Sequence, residues 1–295
     1  MLKFIQTIRQ ALRIRKRNKA FVRFCKANKW APAAFARNKA LKQSRTGKRC
    51  FILGNGPSLK TEDLNQLAGE DVFTVNQAAR HPLFPVLKSK VHLWADPNFF
   101  VLDEYNPGDK ELIDSMRNIN TENNTPICFF PAAQHDFVLK HKLDQVLDVR
   151  YFYSSTEFNQ KWVGEFDFTE DAPGFNAVVM WGVALAIYMG YSEIYLLGVD
   201  TTSILVNIKS VLKQNDDDDY SYKVSENEKR RLEQMIERQG LETQAASFLA
   251  SLTQYRNLYN FCTARNIKLI NCSSTTLIDS IPRRRLVDVL KTPHK

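Results

Sequence analysis

Four polar residues stand where chemistry is easiest to build in an α/β chain. Asn55, Asn76, Asp96 and Asp200 each come at the end of a short apolar run (RCFILG, VFTV, VHLWA and EIYLLGV). Runs of that kind read as buried strands, and ligands of parallel sheets bind just past strand carboxyl ends. The first of the four lies in the turn Gly54-Asn55-Gly56-Pro57-Ser58. Its glycines allow close backbone approach, and its proline presets the entry to a helix. Free amides at such a helix start suit a phosphate. The turn is not a dinucleotide fingerprint, because Leu59 stands where a third glycine belongs, nor does its spacing to Lys60 make a Walker loop. An ordinary strand-to-helix turn is the plain alternative. Asp96 is the carboxylate placed to take a proton, provided the site tunes it.

These residues require a mostly parallel sheet with helices on both faces. The apolar runs predict strands at residues 49–53, 71–76, 90–96, 125–132, 149–154, 192–200 and 267–273. Residues 61–67 read as a short helix capped by Ser58 or Thr61, and residues 174–191 as a central helix apolar on nearly all sides. Residues 201–224 read as irregular, followed by charged helices at 226–239 and 243–265 and a basic turn and helix at the end. The expected fold is α/β and Rossmann-like, with residues 49–295 as the nucleotide-binding catalytic domain and residues 1–48 as a basic helical arm and linker.

The charge supports that division. Of 41 Lys and Arg in 295 residues, 16 fall within residues 1–50, where there is no Asp or Glu. The remainder is mildly acidic, so the net charge of +9 belongs to the arm. Met1, Ile5, Ile8 and Leu12 recur at helical spacing among Lys and Arg, the pattern of a helix lying on an anionic membrane surface. Residues 1–30 are therefore expected to meet such a surface. Packing on the protein's own body or on a second subunit is the alternative, and a homo-oligomer is left open. No reader motif accompanies the charge, so nucleic acid is not expected as a partner. Five scattered cysteines without a CxxC pair indicate neither a disulfide framework nor a zinc site. With no long apolar run and no signal-peptide core, the expected location is cytoplasmic, peripheral at the inner face of the membrane.

GNGPSLKTEDLNQL with DVFTVNQ, then LWADPNFF and GVALAIYMGYSEIYLLGVD, resembles the bacterial CMP-sialic acid transferases of glycosyltransferase family 42. The chain is also similar to their hydroxymethylpterin pyrophosphokinase-like relatives of surface-polysaccharide clusters, in order from about residue 49 to residue 290. The resemblance implies a nucleotide cradle in a variant of the GT-A arrangement, and a glycosyltransferase using a nucleotide-activated, CMP-linked and sialic-acid-like donor with a glycan or glycolipid acceptor. It implies nucleotide contacts from Gly54, Asn55, Gly56, Pro57 and Ser58, a phosphate or donor contact from Asn76, and a position near the sugar for Gly174 and Asn176. Asp200 would lie beneath the base or ribose. Tyr220 and Tyr222 match tyrosines that bind the leaving phosphate.

That family carries a histidine after the Gly-x-Asp block, and residues 201–239 here contain none. Asp96 and the run Asp216–Asp219 are the candidate replacement bases, with Asp96, Tyr220 and Tyr222 as the expected catalytic set. No cofactor or metal is expected for a glycosyl transfer. Under the alternative, a Mg²⁺-dependent pyrophosphokinase or phosphotransferase, Asp216, Asp217, Asp218 and Asp219 would ligate the ion. A non-catalytic nucleotide-sugar-binding partner is the third reading.

Overall fold

The computed structural model describes residues 2–102, 104–121, 124–212, 221, 223, 225–227, 229–230 and 240–291, with the backbone alone at residues 2–9 and 210. Eight parallel strands form one sheet in the order β6-β5-β4-β3-β2-β1-β7-β8. They are β1 (Arg49–Leu53), β2 (Val72–Val75), β3 (Val91–Leu93), β4 (Ile127–Pro131), β5 (Asp148–Glu157), β6 (Asp171–Gly174), β7 (Glu193–Leu197) and β8 (Lys268–Asn271). The described helices are α1 (Leu2–Ala27), α2 (Ala31–Ala36), α3 (Phe84–Leu87), α4 (Pro107–Arg117), α5 (His135–Lys140), α6 (Val178–Met189), α7 (Ser203–Val211), α8 (Leu241–Thr263) and α9 (Leu286–Leu290).

All residues of β1, β2 and β3 are buried, which is why these strands read as continuous apolar runs. Cys50 and Ile52 of β1, Phe73 and Val75 of β2, and Ile194 and Leu196 of β7 join α6 and α8 on one face. Phe51, Leu53, Val72, Tyr195 and Leu197, the alternate residues, pack on the other. Farther along the sheet, Cys128, Phe130 and Tyr151 meet α2, α4 and α5 on that second face. Burial on all sides of α6 follows from its composition and fixes its place over β1, β2 and β3.

The order has one reversal. From β1 the chain steps outward through β2 to β6, and α6 then carries it back to lay β7 on the opposite side of β1. Crevices at such switch points are where parallel sheets hold ligands.

Three expectations are corrected. Residues 171–173, unassigned from sequence, and Gly174, expected to open the central helix, form the edge strand β6, where Pro173 is tolerated because one side has no partner strand, and α6 begins only at Val178. Within 201–224, residues 203–211 are helical rather than irregular. The linker expected at residues 26–48 is part of the folded body: Phe35 and Leu41 are buried, and Asn38 Nδ2 donates to the carbonyls of Tyr151 (2.9 Å) and Phe168 (2.8 Å). Arg17 stacks 3.8 Å over the Trp162 ring and Phe24 packs on Tyr153, so the second half of α1 is docked as well.

Candidate functional site

A cavity of about 1010 Å³ lies along the carboxyl ends of the strands. Of the candidates from sequence, Gly54, Asn55, Gly56, Pro57, Asn76, Asp96, Asn176 and Asp200 all line it. They come from the ends of β1, β2, β3 and β7 and the start of α6. Ser58 and Gly174 are not in its wall. Tyr220, Tyr222 and the four aspartates at 216–219 lie outside the described residues. Ser221, between the two tyrosines, is buried and its amide donates to the Asn55 carbonyl (3.3 Å).

The two glycine turns at the switch point are built against each other. Gly54 N–H donates to the Leu197 carbonyl and Gly56 N–H to the Gly198 carbonyl, each at 2.8 Å. A Cβ on Gly54 would fall 2.3 Å from the Gly198 oxygen, and one on Gly56 would fall 2.4 Å from the Asp200 carboxyl carbon. Gly198 has φ +60°, and a Cβ there would meet Leu59. The glycines are thus required by backbone-to-backbone packing between β1 and β7.

Asp200 is 1% exposed, and its two carboxylate oxygens accept from the Ser58 amide (2.7 Å) and the Ser58 hydroxyl (2.5 Å). Burial pushes its carboxyl above the usual range, and the two Ser58 bonds pull in the opposite direction. Its carboxylate holds the 3₁₀ turn Pro57–Thr61. Ser58 spends its hydroxyl on that bond. Neither Ser58 nor Thr61 caps the short helix expected at 61–67, because that segment forms a 3₁₀ turn only at Leu64–Leu67, capped by Asp63, whose side chain accepts from the Asn65 amide.

Asn55 Nδ2 donates to the Val75 carbonyl (3.1 Å), tying the first turn to the second. Asn76 adopts the left-handed region at φ +48°, and its Oδ1 is buried with no hydrogen-bond partner among the described residues. A nearby imidazole holds this conformation. His92 Nε2 lies 2.9 Å from the Asn76 carbonyl oxygen, so it carries the proton and donates. Its Nδ1 then accepts from Thr74 Oγ1 at 2.8 Å. Burial lowers the His92 pKa to about 3, so the ring is neutral near pH 7. Asp96 Oδ1 accepts from the amide and the side-chain Nδ2 of Asn98, both at 2.9 Å, which caps a single 3₁₀ turn and orients the carboxylate.

The start of α6 faces the cavity through Asn176, Ala177, Val178 and Val179, with no side-chain cap. First-turn amides left without intrahelical partners, together with the helix dipole, favour an anion. Gln254 of α8 fixes this start. Its Oε1 accepts from the Asn176 amide (2.8 Å), and its Nε2 donates to Glu157 Oε1 (3.0 Å) and the Phe158 carbonyl (3.1 Å). Gly174 belongs to this support, since its carbonyl accepts from the Phe158 amide at 2.7 Å and its Cα abuts Ser154.

Sequence reasoning did not find Gln254, Phe248 and Tyr255 of α8, or Phe24 of α1, all at or beside the cavity. Nothing marks them locally, because α8 carries polar and apolar residues without a strong stripe. Across the wall, Asp96 and Asp200 are the acidic residues, and no Lys, Arg or His lines it among the described residues. Also among the described residues, no group of three His, Cys, Asp or Glu side chains is arranged to hold a metal ion. No described helix is long and apolar enough to cross a membrane.

No protein-family model and no curated protein matches the chain. Among solved structures it is similar to the MAf glycosyltransferase from Magnetospirillum magneticum AMB-1, at 12% identity and a TM-score of 0.45. The alignment covers 86% of this chain and 38% of that one, so this chain spans well under half the length of the protein it matches. The strand order and the cavity stand independently of that distant likeness.

Proposed function

We propose that the protein is a glycosyltransferase that moves a sugar from a CMP-activated, sialic-acid-like donor to a hydroxyl of a glycan or glycolipid acceptor. The observation that carries this reading is the single cavity shared by the β1, β2, β3 and β7 loops and the uncapped start of α6. At about 1010 Å³ it lies at the top of the usual range for small-molecule sites, about 300–1,000 Å³, which leaves room for donor and acceptor together.

The described wall offers neutral hydrogen-bonding groups near the switch point: the α6 amides, Asn55, Asn76, Thr201 and Thr202. Neutral donors suit the single charge of a phosphodiester, which is what a CMP-linked sugar carries. Toward β5 the wall turns aromatic with Phe24, Phe100 and Tyr153, a surface on which a sugar ring can stack. In the transfer, an acceptor hydroxyl attacks the anomeric carbon, the bond to the phosphate oxygen breaks, and CMP departs with the electron pair. Asp96 takes the hydroxyl proton, and the α6 start stabilises the departing phosphate.

Thermal unfolding with CMP, CDP, UDP, GDP and ATP, with and without Mg²⁺, tests the reading. CMP is expected to raise the midpoint without metal; a ligand at 100 times its Kd stabilises by about 2.7 kcal/mol. Asp96→Asn should retain that shift and lose transfer. A response to ATP with Mg²⁺ alone would point to phosphoryl transfer instead. CMP binding with no turnover toward any acceptor would make the protein a binding partner, and silence toward every nucleotide would remove the cradle altogether.

A further inference from the structure

α1 has two faces with different fates. Its inner face is held by the body: Arg13 Nη1 donates to the Lys161 carbonyl (3.0 Å), Arg17 Nη2 donates to the Val163 carbonyl (2.8 Å), and Phe21 and Phe24 pack on Phe35 and Tyr153. Its outer face carries Arg15, Lys16, Lys19, Arg23 and Lys26, all exposed and none in an ion pair among the described residues. Leu12 and Val22 lie among these cations at 57% and 50% exposure. No acidic residue occurs anywhere in residues 1–50 to neutralise the group.

We propose that this outer face of α1 is a docking surface for an anionic lipid bilayer. The charge is one-sided and uncompensated, and a surface of lipid phosphates is its complement. The aliphatic side chains select a bilayer over nucleic acid. Leu12 and Val22 have nothing to gain from a phosphate backbone in water, but both can enter the boundary between headgroups and acyl chains. The docked contacts from Arg13 to Phe24 hold this half of α1 against the body, so its cations are presented without an ordering cost at the moment of binding. Phe24 connects this surface to the site, because it lies on the inner face of α1 and lines the cavity. Docking would hold the cavity at the membrane, where a lipid-linked acceptor resides; the docking itself does not depend on the transferase reading.

Flotation of the full chain with vesicles of phosphatidylcholine, with and without phosphatidylglycerol, tests the surface. The native protein should float with the anionic vesicles only and be released by salt. Arg15→Glu, Lys19→Glu and Arg23→Glu together should weaken partitioning at least about 100-fold, from about 1 kcal/mol per cation and tenfold per 1.4 kcal/mol. A control with the same charge change elsewhere (Lys39→Glu, Lys140→Glu and Lys291→Glu) should bind nearly as the native protein does. Leu12→Ser with Val22→Ser should lower binding most clearly at higher salt. Thermal unfolding of each variant checks that the body is intact. Equal losses in the two charge-reversal variants, or native binding by the α1 variant, would overturn the proposal. So would full binding by the serine variant, or retention of a labelled oligonucleotide in place of vesicles.

Discussion

His92 shows how a residue outside the cavity wall sets the geometry of the site. It is fully buried, and its neutral ring holds Asn76 in a conformation that non-glycine residues rarely adopt. Its folded-state pKa of about 3 lies below the ordinary 6.5, so the unfolded chain binds the extra proton between those values. The stability it contributes is therefore complete above about pH 6.5 and is lost as pH falls toward about 3, by up to about 1.4 kcal/mol per pH unit. Urea unfolding of the native protein and of His92→Gln, at about pH 7 and about pH 5, should show the native protein losing more, by about 2 kcal/mol. Parallel losses in the two proteins would assign the pH dependence to other groups. The sequence places His92 in a strand and indicates a core role. It does not show that both nitrogens are engaged, because Thr74 and the Asn76 carbonyl arrive from the neighbouring strand.

Among the elements, α8 most affects the site without contributing a candidate from sequence. Gln254 spans from the β6–α6 connection to the end of β5, and no other described side chain bonds the Asn176 amide. Gln254→Met keeps the volume and removes both functions of the amide. It should cost about 1–3 kcal/mol, from the buried groups left unpaired. It should also reduce the CMP-induced thermal shift, since the α6 start loses its anchor. A stability loss with an undiminished shift would limit Gln254 to folding. The strands were legible because burial on both faces leaves an unbroken apolar run, and α6 because it is apolar all round. β6 was not legible: Asp171-Ala172-Pro173-Gly174 has no strand propensity, and its place comes from pairing with β5, where Asp171 accepts from the Ser155 amide at 2.8 Å. The turn after β1 looked like an anion loop because glycine serves two purposes there, and sequence cannot separate approach to a ligand from approach to Gly198. The candidates Asn55, Asn76 and Asp96 were legible as strand-end residues. The employment of Asp200 by Ser58 is a tertiary fact.

For the whole molecule, α1 is both an outer surface and part of the body. Deleting residues 1–27 removes Phe21, Phe24 and the Arg17–Trp162 stack and opens the cavity at Phe24. The truncated protein should lose stability on the order of several kcal/mol and respond weakly to CMP. The charge-reversed α1 variant should keep both properties, and a truncated protein that melts and binds as the native one does would make α1 dispensable to the body. The reversal of strand order has a consequence for synthesis. β1 lies between β2 and β7 in the finished sheet, yet its Leu53 pairs with Leu197, and all the chain between them is made first. At about 5–20 residues per second, the unpaired backbone edge of β1 waits on the order of ten seconds on the ribosome for β7. During that interval the strands from β1 to β6 can pair, while the side of β1 destined for β7 remains open to other chains. The feature that creates the ligand crevice also makes the nascent protein a client for whatever shields unpaired strand edges.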